Sequence, residues 1–295
     1  MNAVPYIRGA ALAFVLMVAS VQRDAAAEDE VARGTYLVRA AGCAGCHTDS
    51  KGKGAPFAGG RELKTPFGVY YSPNITPDPE TGIGRWSDRD FLNALQQGLR
   101  PDGTHYFPVF PYTTYTKMRD EDAVAIKAYL FSLAPVRREN RAHDVWPPFD
   151  WRWTIGPWKS LYFEAGRWQP EPNRSEAWNR GAYLVEALAH CGECHTPRNA
   201  AGGLRRELWM AGSEDGPEGE IAANITPDPE TGIGDWSRDD IVALLREGTK
   251  PDFDIVQGLM EEAIEEGLGR LSQADLEAIA VYVRALPPIR HQLPR

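Results

Sequence analysis

The chain has 295 residues, 43% of them apolar and 25% charged, with a formal net charge of -9. This is the composition of a globular protein with room for two domains, and it excludes a disordered or fibrous chain. The acidic balance argues against a nucleic-acid partner, which would need basic clusters; an acidic face would instead steer a basic protein partner.

The chain opens with the pattern of an export signal. Arg8 supplies a positive charge, "AALAFVLMVAS" (10–20) an apolar core, and Ala25-Ala26-Ala27 a small-residue cleavage site. The apolar run is short for a membrane span, which needs about 20 residues. A signal over 1–27 is therefore expected, with an uncleaved anchor as the alternative. Export would place the four cysteines in an oxidising compartment, where disulfides are the default fate unless something else consumes them.

A helix is expected over 30–41, followed by "CAGCHT" (43–48). From there the chain begins a pattern that it later repeats. "GTYLVRAAGCAGCHT" (34–48) returns as "GAYLVEALAHCGECHT" (181–196), with one residue more before the second cysteine pair. "NITPDPETGIG" occurs at 74–84 and again at 224–234, followed by Trp86-Ser87 and Trp236-Ser237. Helices are expected from Asp90 to Gln97 and from Asp240 to Glu247, ended by Gly98 and Gly248. The last helix of each copy is expected at about 120–133 and 272–286, the second opened by Ser272 and Asp275 as a capping box. No strand-period segment of useful length stands out. The repeat predicts two similar all-α units, 28–136 and 178–295, with long turn-rich loops. Between them, 137–177 is rich in proline, and with Trp178 it holds six of the nine tryptophans: Trp146, Trp151, Trp153, Trp158, Trp168 and Trp178. Packing that pins the units together is the plainer reading of so aromatic a segment. A docking surface for a partner or a membrane interface is the other.

Three chemistries compete for the cysteine pairs. A zinc site needs both pairs close together, usually about 12–20 residues apart, whereas these lie in separate copies of a repeat. A redox dithiol needs no histidine after its second cysteine and sits in a βαβ context that is missing here. Covalent haem accounts for every residue. In C-x-x-C-H two thiols add to the two vinyl groups of one porphyrin, and the following histidine becomes the proximal iron ligand. Two haem c groups are expected, held by Cys43, Cys46 and His47 and by Cys191, Cys194 and His195.

With these residues in view, the chain resembles dihaem c-type cytochromes built from two class I cytochrome c domains. It is most similar to the cytochrome subunits that accompany periplasmic dehydrogenases of alcohols, aldehydes and sugar acids. The resemblance runs through nearly all of 30–290, on "GxYLVxAxxCxxCHT", "FAGG" (57–60), "TPFG" (65–68), "NITPDPETGIGxWS", "PYTTYTKMRDED" (111–122) and "LPPI" (286–289). It implies an electron carrier between a periplasmic dehydrogenase and an acceptor cytochrome or terminal oxidase. Some such subunits carry three haems and a C-terminal anchor. Here there are two motifs and the sequence stops at Arg295, so membrane association is expected only through a partner or an uncleaved signal.

An electron-passing haem is usually six-coordinate, and a methionine opposite the histidine raises its potential. Of the five methionines, Met1 and Met17 leave with the signal, and Met210 aligns with Phe57, a packing position. Met260 is expected to serve the second haem. Met118 is the methionine left for the first, although it abuts the last helix. Family members often read "AMPY" where this chain reads "VFPY" (109–112), which puts Phe110 where a methionine is expected. His105 in "DGTHYFP" is the rival ligand. Pro56 is expected, by the same resemblance, to offer its carbonyl to the ring of His47. Trp86 and Trp236 fit either propionate hydrogen bonds or core packing. Asn74 and Asn224 read as turn-formers, and His143, His190 and His291 as linker, spacer and tail. The alternative function is a haem enzyme of peroxidase or thiosulfate-oxidising type using the first haem; a structural subunit is the third.

Overall fold

The computed structural model describes residues 27–294. The expected export signal, with Met1 and Met17, lies outside the described residues apart from Ala27. Helix α1 covers 27–40, and α2 (Cys43–His47) is a single turn carrying the first cysteine pair. A short hairpin follows, β1 (Glu62–Thr65) against β2 (Gly68–Tyr71), antiparallel with Glu62 opposite Tyr71. It was not expected, because each strand has only four residues. Next come α3 (Asp88–Gln97), the turn α4 (Tyr112–Tyr115) and α5 (Asp120–Ser132).

Between the units, β3 (Asp144–Val145) adds a third strand beside β2, and α6 (Ile155–Tyr162) follows. The second unit then repeats the order of the first. α7 (Glu176–Tyr183) continues into a wider π-turn at Leu184–Leu188, and α8 (Cys191–His195) carries the second cysteine pair. After it lie α9 (Arg238–Glu247), α10 (Gly258–Glu266) and α11 (Gln273–Val283).

The helix starts have local causes. Ser87 caps α3 by accepting from Asp90 N at 3.2 Å while the Asp90 carboxylate accepts from Ser87 N at 2.9 Å. Ser237 and Asp240 do the same for α9 at 3.1 and 2.8 Å. Both helices thus begin two residues before the expected position. At α11 only half of the expected box forms. Ser272 accepts from Asp275 N at 3.2 Å, but the Asp275 carboxylate is taken by Arg180, at 2.8 and 2.7 Å, in place of the cap N–H. A forked guanidinium outcompetes a lone amide for a buried carboxylate.

Within each unit the first and last helices cross at a glycine. A Cβ on Gly34 would lie 1.9 Å from the Ala125 carbonyl oxygen of α5, and one on Gly181 would lie 1.9 Å from that of Ala278 in α11. Only glycine permits this approach.

Between the units the contact is reciprocal. Tyr36 of the first unit donates to Asp275 of the second at 2.5 Å, and its repeat mate Tyr183 donates to Asp122 of the first. Each aspartate also takes an arginine from its own unit, Arg33 on Asp122 at 2.5 Å and Arg180 on Asp275. Asp122 and Asp275 are buried, so each charge depends on these partners. One apolar core runs through both units, from Leu37 and Ile126 to Leu184, Leu188 and Ile279.

The tryptophan-rich segment straps the units together. Arg152 donates to His105 O at 2.8 Å, Lys159 to Gln97 O at 2.5 Å, and the Trp158 indole to Ala201 O at 2.8 Å in the second unit. Trp168 and Trp178 pack on the core, while Trp146, Trp151 and Trp153 are 56%, 46% and 69% exposed. Packing thus accounts for part of the aromatic content, and the other three tryptophans face solvent.

Candidate haem-attachment sites

Each cysteine pair sits on one helical turn entered through a left-handed residue, Gly42 (φ 62°) or His190 (φ 44°). That kink turns the chain so that both thiols and the following histidine share one short helix. All four cysteines are free thiols. Desolvation pushes the thiols of Cys43, Cys191 and Cys194 up to about 12, while Cys46 is the exposed one of the four. Among the described residues no group of three or more His, Cys, Asp or Glu side chains is placed to hold a metal ion.

The two histidines are held alike. His47 Nδ1 donates to Pro73 O at 2.8 Å and His195 Nδ1 to Ala223 O at 2.7 Å. Burial lowers both imidazole pKa values, more than these bonds raise them. Each ring is therefore neutral, with its proton on Nδ1 and its Nε2 lone pair available to a metal. The acceptor for His47 is not Pro56, as the family resemblance suggested. It is the residue just before the "NITPDPETGIG" repeat, and because a backbone carbonyl does the work, Ala223 serves as well as Pro73. The "APFAGG" loop contributes differently: Phe57 N donates to Thr48 Oγ1 at 3.2 Å and Gly59 N to His47 O at 2.8 Å. In the second unit Met210 N and Gly212 N make the equivalent bonds, to Thr196 Oγ1 at 3.0 Å and His195 O at 2.8 Å. Phe57 and Met210 share a left-handed φ of 61° and 60° and are both buried, so Met210 is a packing residue.

Asn74 and Asn224 anchor the loops that supply those carbonyls. Asn224 Nδ2 donates to Thr231 Oγ1 at 3.0 Å and Ile289 O at 2.8 Å. Its Oδ1 accepts from Thr226 N at 2.9 Å and Thr226 Oγ1 at 2.7 Å. Asn74 makes the same bonds to Thr81, Val136 and Thr76. They form turns, as the sequence suggested, and they also tie each loop to the chain leaving the last helix. Trp86 and Trp236 pack against the core.

The Cytochrome c family pattern matches residues 31–134. A protein described as a dihaem c-type cytochrome from Cereibacter sphaeroides is 40% identical over 266 residues, covering 88% of this chain and 87% of that protein. The chain belongs to the cytochrome c family. It is a dihaem c-type cytochrome with two covalently bound haem c groups, and the two thiol pairs with their neutral imidazoles are a donor set that fits them. The gluconate 2-dehydrogenase cytochrome c subunit of Pantoea cypripedii is 38% identical over 279 residues, 92% of this chain and 63% of that subunit. A nicotinate dehydrogenase subunit of Pseudomonas putida is 42% identical over 260 residues, 86% of this chain but 21% of that protein. The cytochrome thus spans only part of these dehydrogenase subunits.

The two methionines expected as distal ligands differ in their surroundings. Met260 lies in the first turn of α10 and is half-buried. Met118 is completely enclosed, 0% exposed, and its backbone is bonded to Tyr115 O at 2.9 Å and to Gln96 Nε2 at 3.2 Å. Its surface is already taken up by protein atoms. His105 is held by Lys159 Nζ at 2.9 Å.

Each attachment turn is reached from the other unit, α8 by α4 and α2, through Arg61, by α10. Gly45 and Glu193 stand at the same place in the two motifs. Glu193 is buried and accepts from Thr113 and Thr114 of α4 at 2.7 and 2.8 Å, with Arg198 as its ion-pair partner. Burial pushes its pKa up, but Arg198 and the two hydroxyls outweigh that and leave it lowered. In the first motif Gly45 O accepts from Arg61, which also pairs with Glu262 of α10 and with Glu218 at 3.2 Å. Tyr115 at the end of α4 donates to Ala41 O at 2.8 Å, two residues before Cys43, and lies edge-on to the His190 ring. No helix among the described residues is long and apolar enough to cross a membrane.

Proposed function

We propose that this cytochrome passes single electrons from a periplasmic dehydrogenase, through two haems, to a cytochrome or terminal oxidase. Cys43 and Cys46 carry one haem with His47 as proximal ligand. Cys191 and Cys194 carry the other, with His195 proximal and Met260 distal. The observation that carries this reading is the same site built twice: a one-turn helix of two thiols and an imidazole whose Nδ1 is satisfied by a carbonyl. The haems supply reversible one-electron chemistry, and the protein supplies spacing, orientation and potential.

Residues 28–136 and 178–295 form the two cytochrome units, with 137–177 as the strap between them. The direct contacts between α4 and α8, and between Arg61 and α10, favour two haems close enough for electrons to hop within the molecule. The dehydrogenase partner is proposed from the gluconate and nicotinate dehydrogenase relatives. Export to the periplasm rests on the pattern at 1–27 and on the chemistry of haem attachment. Membrane association would then come through the partner or a retained signal.

The test is to express the full chain with haem-attachment machinery, count haems by pyridine haemochrome, and follow reduction by the candidate dehydrogenase. Two haems per chain, falling to one in Cys43→Ala/Cys46→Ala and in Cys191→Ala/Cys194→Ala, are expected. Two haems in either double variant would refute the attachment residues. A dehydrogenase from the same periplasm that fails to reduce the protein would refute its place as donor.

A further inference from the structure

The two units keep one register through the loop that follows α3 and α9. After α3 and α9 the chain makes the same loop twice. Arg100 N donates to Thr104 O at 2.8 Å, as Lys250 N does to Asp254 O. Leu99 bridges to His105 as Thr249 bridges to Ile255. Tyr106 N donates to Gly98 O at 2.9 Å, as Val256 N does to Gly248 O. Tyr106 and Val256 are therefore equivalent. Four residues later stand Phe110 and Met260.

Counting back from the last helix gives the partner of Met118. Arg119 and Ser272 cap α5 and α11, and the residues before them are Met118 and Leu271. Both are enclosed in the core. The second unit has three more residues between these fixed points, and the segment that forms the short turn α4 in the first unit is the longer helix α10 in the second. Met118 is thus the counterpart of a packing leucine, and Phe110 stands as many residues beyond the last shared bond as Met260 does. Phe110 packs on Tyr106, Tyr112 and Tyr115, and Tyr115 reaches the backbone just ahead of Cys43.

The remaining histidines are committed elsewhere. His105 meets Lys159 through Nδ1, and its Nε2 faces Gly156 of α6. His143 Nδ1 accepts from Tyr71 N at 3.2 Å, and His291 Nδ1 donates to Ala211 O at 3.0 Å. His190 lies beside Gly42, at the entrance to the motif.

We infer that the first haem, held by His47, has Phe110 rather than a ligand opposite its iron and is an open site for a small neutral diatomic molecule. Resting on the assignment of Met260 above, the inference makes the two haems unlike: one would have sulfur as its sixth ligand, the other an aromatic ring beside a vacant position. Binding is a single dative bond to ferrous iron, with no group transferred and no electron consumed. The rings packed on Phe110 bring no imidazole or carboxylate against it, so the site favours ligand binding over acid–base cleavage of a peroxide.

Carbon monoxide is the probe. In the reduced full-length protein with two haems by pyridine haemochrome, one CO per chain is expected, with a high-spin signal from one haem in the oxidised state. Phe110→Met should abolish both and raise one midpoint potential. Met118→Leu, a near-isosteric core change, should leave spectra, potentials and CO stoichiometry as in the parent. Met260→Ala should raise the stoichiometry to two. A parent protein that binds no CO, or a Met118→Leu variant that newly gains a CO-binding haem, would overturn the inference. One CO per chain in Met260→Ala would instead overturn the assignment of Met260.

Discussion

Replacing Asn224 by alanine tests how the proximal side of each haem site is built. Asn224 is buried, and its carboxamide makes the four hydrogen bonds described above. Truncation orphans the N–H of Thr226, which is 0% exposed. It also leaves Ile289 O with only a longer bond from Thr226 Oγ1 at 3.3 Å. Each buried polar group left without its partner costs about 1–3 kcal/mol, so a loss of about 3 kcal/mol is expected. Denaturant unfolding of the holoprotein measures it, since a covalent haem stays with the chain. Asn224→Asp keeps the acceptor oxygen but sets a charge against the Ile289 carbonyl, and should cost at least as much. Because the same bonds surround Asn74, Asn74→Ala should match Asn224→Ala. The potential of the haem on the altered side should also move, as its loop supplies the carbonyl that fixes the imidazole. A loss under about 1 kcal/mol, or a loss confined to one copy, would refute the reasoning.

Tyr36→Phe and Tyr183→Phe each remove a hydrogen bond to a buried carboxylate across the boundary, and unfolding should show each costing roughly 1.5–3 kcal/mol. Gly181→Ala places a methyl 1.9 Å from the Ala278 carbonyl oxygen. Backbone must move to admit it, so a loss of at least about 1–3 kcal/mol is expected in thermal unfolding; parent-like stability would contradict the helix crossing. His143 is lowered from 6.5 to about 4, chiefly by burial. A depressed folded value means that the unfolded chain takes up the proton first. The stability contribution is full above 6.5 and is lost as the pH falls towards about 4. His143→Phe should flatten that part of the stability profile, and an unchanged slope would count against it.

The haem sites were legible because their chemistry is local: thiols and imidazole lie within five residues, and an exact spacing has one good explanation. The glycines that end α3 and α9 were legible for the same reason. The histidine acceptor was not, because any residue can lend a carbonyl; only the fold could replace Pro56 by Pro73. The hairpin was too short for its alternation to register, and α10 was missed beside the better-marked last helix. The Tyr36–Asp275 and Tyr183–Asp122 bonds join residues far apart in sequence, and no window contains them. A signal for them existed all the same. Arg33 and Arg180, Tyr36 and Tyr183, and Asp122 and Asp275 recur between the two copies of one chain. Polar residues kept at buried positions of a repeat need partners.

The exchange of tyrosine and aspartate across the boundary has a consequence for how such a molecule can arise. A patch that carries both the donor and the acceptor is self-complementary, so one unit bearing it would pair with its own copy about a two-fold axis. Joining two such units end to end turns that pairing into an intramolecular one, at an effective concentration set by the connecting segment rather than by the amount of protein. Symmetry is then no longer needed to hold the pair together. Each half is free to drift where the other does not, as Phe110 and Met260 have.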